Sequence, residues 1–217
     1  MQIFHLLLLT MLFINQLSGS DILDKLKKGN ENFINGEVNC LKMTQKERAQ
    51  MAKNQRPVAM VVTCSDSRVP PEIIFDQNPG DLFVIRIAGN VVDQLGIASI
   101  EYGISVLKIP LLIIMGHQNC GAISAAFDLG DTEFSANIAA LLTQIKPSIR
   151  SVTQKYPNKS KAELLDLAIK QNVLHTHQEI INRSPIVREH LGNGTLNIVD
   201  AVFNIETGRV GIIDGRD

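Results

Sequence analysis

Two short runs, residues 58–63 (Val-Ala-Met-Val-Val-Thr) and 109–115 (Ile-Pro-Leu-Leu-Ile-Ile-Met), are apolar at nearly every position. Neither shows the two-residue alternation of a half-exposed strand, so each reads as a strand buried on both faces. Residues 81–86 read as another strand after the Pro79-Gly80 turn. Residues 196–204 and 209–213 read as two late strands joined at Glu206-Thr207-Gly208. Helical spacing fills the intervals. Apolar residues at 22, 23, 26, 33 and 34 predict an amphipathic helix near the N-terminus with Asp21 as its cap. Thr44-x-x-Glu47 and Ser160-x-x-Glu163 have capping-box spacing and open a short helix to about residue 54 and a long one to about residue 182. Pro71 suits the first turn of a short helix, and further helices are expected over 96–107, 119–127, 135–152 and 184–192. Strands alternating with helices predict an α/β fold, with a mostly parallel central sheet of about five strands flanked by helices.

Composition narrows the class. The 217 residues, 45% hydrophobic, suit one domain with a sizeable core. A formal net charge of −1, no basic block, no Trp and only two Tyr argue against a nucleic-acid partner. Residues 3–14 are almost continuously apolar, yet too short for a bilayer span of roughly 20 residues. Small and polar residues follow, so 1–20 reads as a secretory signal peptide cut after Gly19 or Ser20, although its start lacks Lys and Arg. Residues 21–217 are then a single domain with an N-terminal helical arm, expected to be exported to a periplasmic or external compartment, with no stable membrane span after processing. Three Cys residues form no even disulfide framework.

The chemistry lies where the two buried runs end. The first delivers Cys64-Ser65-Asp66-Ser67-Arg68 and the second Gly116-His117-Gln118-Asn119-Cys120-Gly121. Loops beyond the carboxyl ends of parallel strands are where such sheets gather their sites. Cys64, His117 and Cys120 make a Cys₂His set, a zinc arrangement that leaves a fourth position open. The hypothesis requires the two strands to be neighbours. Gly116 and Gly121 flank the ligands, as backbone crowding near a metal would favour. Asp66 can accept a hydrogen bond beside the ion, and Arg68 can hold it ionised through a bidentate pair. Two thiolates formally cancel zinc's charge, so neighbouring groups must help to acidify water.

Cys-Ser-Asp-Ser-Arg followed by His-x-x-Cys-Gly resembles the β-class carbonic anhydrases. Pro70-Pro71-Glu72-Ile73-Ile74-Phe75, residues 79–86, Ala88-Gly89-Asn90 and Ser99-Ile100-Glu101-Tyr102 fall in the family's order, and the similarity runs from about residue 22 to about residue 213. The resemblance implies reversible hydration of carbon dioxide to bicarbonate and a proton by attack of zinc-bound hydroxide. It implies one zinc per subunit on Cys64, His117 and Cys120, with Asp66 and Arg68 as the catalytic pair. In some members the Asp becomes a fourth ligand, giving a closed state. Gln55, Phe83 and Tyr102 match substrate-pocket positions of the plant-like subgroup, the Tyr coming from a neighbouring subunit. A homodimer or higher homo-oligomer follows, its N-terminal helix reaching across. The other subgroup's regulatory Trp before the first Cys has no counterpart here.

Two rival readings share these residues. One is a zinc hydrolase of carbon disulfide or carbonyl sulfide on the same scaffold. The other is a non-catalytic zinc-stabilised module with Asp66 permanently on the metal. A thiol redox protein is disfavoured because no Cys-x-x-Cys occurs. His175 and His177, two apart on an expected helix, diverge and read as packing or surface residues.

Overall fold

The computed structural model describes residues 18–40, 42–128 and 135–213. The apolar stretch expected to be a leader lies outside them. Five strands form one sheet: β1 (Ala59–Thr63), β2 (Leu82–Arg86), β3 (Leu111–His117), β4 (Asn197–Phe203) and β5 (Val210–Ile212). Their order is β2-β1-β3-β4-β5, parallel throughout except for the antiparallel β4–β5 pair. β1 and β3 lie centrally and are buried at every position, which is what their unbroken apolar runs demand.

Successive residues of a strand face opposite sides, and two cores result. Met60, Val62, Leu112 and Ile114 pack with Ile97, Ile100 and Ile104 of α4 (Gln94–Ser105) and with Val173 and Ile180 of α7 (Lys161–Arg183). On the other face Val61, Leu111, Ile113 and Met115 meet Ile22 and Leu26 of α1 (Gly19–Ile34) and Ile74 of α3 (Pro71–Ile74). The remaining helices are α2 (Gln45–Met51), α5 (Gly121–Asp128), α6 (Ala136–Lys155) and α8 (Pro185–Gly192). Among the described residues, no helix is long and apolar enough to cross a membrane.

Both expected capping boxes are present, at Thr44/Glu47 and Ser160/Glu163. The cap of α1 is not Asp21 but Ser18: its hydroxyl accepts the Asp21 N–H at 3.2 Å, and the Asp21 carboxylate accepts the Ser18 N–H at 3.1 Å. Asp21 is thus the third helical residue of another capping box. A cut after Gly19 or Ser20 would fall inside this first turn and remove the cap. Asp93 caps α4 through the Gly96 N–H at 2.7 Å, so that helix starts two residues before the expected Gly96. The helix expected from Asn119 begins at Gly121, because Asn119 takes a left-handed φ of 55°.

α1 docks on its own chain through Asn30, which is 5% exposed. Its amide nitrogen donates to the carbonyls of Ile74 (3.2 Å) and Gly208 (2.8 Å), and its oxygen accepts the Val210 N–H at 2.9 Å. One side chain thereby ties together α1, α3 and the β4–β5 turn. Replacing it strands several buried backbone groups, each worth about 1–3 kcal/mol when left unpaired. Asn30→Ala is expected to lower unfolding free energy by roughly 3 kcal/mol, read as a reduced urea midpoint at unchanged slope. A midpoint equal to the parent's would show that the tie is dispensable.

Candidate metal centre

The register Thr63↔Met115 sets the ends of β1 and β3 side by side, and the Thr63 hydroxyl donates to the Met115 carbonyl at 2.8 Å. Cys64 therefore leaves β1 next to His117, the last residue of β3. Asn119, in its left-handed turn, brings the chain back so that Cys120 joins them. The ligand atoms of Cys64, His117 and Cys120 all lie within 4.8 Å of one another. These residues are 4%, 0% and 2% exposed respectively.

The donors suit a metal. His117 Nδ1 lies 2.9 Å from the Gln118 carbonyl, which assigns its proton there and turns Nε2 toward the thiols. Nε2 is buried and has no hydrogen-bond partner among the described residues. An orphaned ring nitrogen beside two sulfurs, with its other nitrogen anchored to a carbonyl, is the usual arrangement of a zinc-ligating histidine. Cys64 Sγ also accepts the Gly89 N–H at 3.2 Å. A hydrogen bond from Cys120 pulls the Cys64 thiol below its usual pKa against the opposing effect of burial, and the same shared proton pushes the Cys120 thiol up. The donor set, two sulfurs and one imidazole nitrogen, fits zinc. Of the two flanking glycines only Gly116 is crowded: a Cβ there would meet Val173 at 2.8 Å, whereas one at Gly121 would meet nothing within 4 Å.

Asp66 and Arg68 stand at the rim. Arg68 Nε donates to Asp66 Oδ1 at 2.9 Å and Nη2 to Oδ2 at 2.7 Å, and the Arg68 backbone N–H adds a bond to Oδ1 at 3.0 Å. The guanidinium bonds are the largest cause holding the carboxyl well below the usual carboxylate range. Asp66 Oδ2 sits 3.8 Å from His117 Nε2, facing the cluster while occupied by Arg68. Arg86 was not singled out from the sequence. It ends β2 and donates to the Cys64 carbonyl at 3.0 Å and the Asp66 carbonyl at 2.6 Å. The available signal was a lone cation closing an apolar strand beside β1.

Gln55, Phe83 and Tyr102 do not line this cluster within one chain. Phe83 pairs in register with Met60, four residues before Cys64 and so roughly 13 Å back along the strand. Its ring lies 6.2 Å from that of Tyr102, which is 46% exposed on α4. Gln55 is exposed and borders a separate cavity of about 380 Å³ with Met43, Met51 and Asp81. His177 bonds Asp200 at 2.7 Å, consistent with a packing role.

Because the ligands come from two separate loops, loss of either should abolish retention of the ion. Cys64→Ala and His117→Ala are each expected to purify folded but with little zinc by elemental analysis. Full zinc content in either variant would show that the ion is held elsewhere.

A family model described as carbonic anhydrase matches residues 59–210, which include both ligand loops. A carbonic anhydrase of Mycolicibacterium smegmatis is 37% identical over 188 residues, covering 85% of this chain and 88% of the relative. Carbonic anhydrase 2 of Mycobacterium tuberculosis is 34% identical over 191 residues, covering 87% and 90%. Among solved structures, the β-carbonic anhydrase CcaA superposes with a TM-score of 0.75 at 27% identity, covering 90% of this chain and 87% of that one. A tetrameric β-carbonic anhydrase from Sordaria macrospora gives a TM-score of 0.70 at 26% identity, covering 76% and 85%. Likeness of this extent, running through a buried Cys₂His cluster with an Asp–Arg pair at its rim, means that the chain belongs to the β-carbonic anhydrase family.

Proposed function

We propose that this chain interconverts carbon dioxide and bicarbonate, using one zinc ion per subunit held by Cys64, His117 and Cys120. The observation that carries this reading is the placement of Asp66: directed at the cluster and held by two guanidinium bonds from Arg68, which favour its charged form. When bound, zinc supplies the Lewis acidity that makes water a competent nucleophile near neutral pH. Asp66, whose carboxylate faces the cluster, would accept a hydrogen bond from the attacking water and orient it toward carbon dioxide. Arg68 keeps the carboxylate charged and restrains it from becoming a ligand. Arg86 holds the loop carrying Cys64 and Asp66 by two of its carbonyls. Val91 and Ile123 pack with Cys64 and Cys120 and keep bulk water away from the sulfurs. An Asp66 engaged by Arg68 favours this reading over a closed, non-catalytic zinc module.

The working site is completed by a second copy. Leu95, Tyr102 and Val106, at 75%, 46% and 58% exposure, share one face of α4 and its C-terminal end, and Phe83 lies beside them on the edge strand β2. An apolar face next to an unpaired strand edge supports burial against another subunit. Gln55, Phe83 and Tyr102 would then line the partner's metal pocket, in at least a dimer. Export is also part of the proposal, resting on the apolar residues 3–14. Processing upstream of Ser18 would keep the cap of α1, and the mass of the mature protein reads the bond cut.

Stopped-flow hydration of carbon dioxide by the zinc-loaded protein tests the activity. Asp66→Ala is expected to lower turnover by about 10²–10³-fold with zinc content unchanged. Near-parental turnover in that variant would refute its role. Paired substitution Leu95→Glu and Val106→Glu should reduce the mass seen by light scattering and lower turnover together. An unchanged mass would contradict the assigned interface.

A further inference from the structure

The group that donates to Cys64 is a backbone amide in an unusual turn. Gly89 has φ 70° and ψ 19°, and Asn90 follows with φ 48°. Two consecutive left-handed residues, one of them not glycine, do not persist without external support. A Cβ on Gly89 would approach Ile145 at 2.7 Å, so the position also lacks room for a side chain. Support comes from α7. Asn172 Nδ2 donates to the Gly89 carbonyl at 2.7 Å, and Thr176 Oγ1 donates to the Asn90 carbonyl at 3.2 Å. The two residues are four apart and share a helix face. They are 0% and 3% exposed, among apolar neighbours such as Ile169, Val173 and Ile180. The Ser148 hydroxyl donates to Asn172 Oδ1 at 3.3 Å, orienting the amide so that its nitrogen faces Gly89.

Packing alone would be served better by apolar side chains at both positions, since buried polar groups stabilise little unless fully bonded. What these two achieve is the direction of one N–H bond. Fixing the carbonyls of Gly89 and Asn90 fixes the two peptide planes that follow Gly89. This holds Gly89 in its left-handed φ and ψ and so aims its own N–H, in the plane shared with Ala88, at Cys64 Sγ, 3.2 Å away. A hydrogen bond to a metal thiolate draws electron density from sulfur and leaves the ion more electrophilic. A centre with two thiolates needs that correction, because they formally neutralise a divalent ion. We infer that Asn172 and Thr176 are positioning residues for the metal centre, acting through the Gly89–Asn90 turn to hold the amide on Cys64 and set the electrophilicity of the ion. The inference rests on the zinc reading above and deepens it.

Cobalt(II) in place of zinc gives a readout independent of turnover: the sulfur-to-cobalt charge-transfer band, whose energy falls as the thiolate becomes more electron-rich. Thr176→Val, which keeps shape and removes only the hydroxyl, and Asn172→Leu should both move the band to longer wavelength. Each should also weaken zinc binding, by about tenfold for Asn172→Leu. Ile169→Val, a packing change on the same helix, should leave the band where it is. A band at the parental wavelength in cobalt-loaded Thr176→Val would overturn the inference even if Asn172→Leu fails to fold. So would an equal shift in Ile169→Val. Failure of the unmodified protein to take up cobalt would instead strike the metal reading itself.

Discussion

Parallel pairing of β1 with β3 is the constraint on which the remainder depends. It places Thr63 opposite Met115, so Cys64 and His117 emerge at the same end of the sheet. A register slip of one residue would turn every side chain of β1 to the opposite face and carry Cys64 away from its partners. The slip is prevented by the hydrophobic cores on both faces, since each face of β1 and β3 has its own helices to bury against. The metal centre thus draws on the stability of the whole sandwich. Its three ligands need no disulfide and no dedicated metal-binding loop to be brought together.

Around that pairing the charged and polar groups divide the work by depth. At the rim, Arg68 holds Asp66 through side-chain bonds partly exposed to solvent. Beside it Arg86, itself exposed, fixes the backbone of the same loop. Deepest of all, Asn172 and Thr176 act on a turn that touches sulfur. Only the rim is free to rearrange cheaply, which is where a carboxylate must be able to engage water. The buried pair, Asn172 and Thr176, steadies the turn on the sulfur.

Much of this was legible because it is local. Unbroken apolar runs mark central strands, Thr44/Glu47 and Ser160/Glu163 mark helix starts, and Cys64, His117 and Cys120 have a donor chemistry that few other roles explain. The α/β sheet of five strands follows from those signals in order. Local rules misplaced some edges. Asp21 looked like a cap but serves as the third residue of a box opened by Ser18, and β3 runs on to His117 because its ladder with β4 continues to Phe203. Other features left no local trace. The Gly89 donor is backbone and carries no residue signature, and Asn172 and Thr176 lie over eighty positions from the carbonyls they hold. Gln55, Phe83 and Tyr102 sit away from the cluster of their own chain, so their part depends on a second copy that periodicity cannot reveal.

Zinc-edge X-ray absorption on the purified protein at neutral pH reads the shared ion most directly. Two sulfur neighbours near ~2.3 Å and two lighter neighbours near ~2.0–2.1 Å are expected, from Cys64, Cys120, His117 and one oxygen. A shell with one sulfur or none would contradict it, because the ends of β1 and β3 would then not be meeting around a common ion.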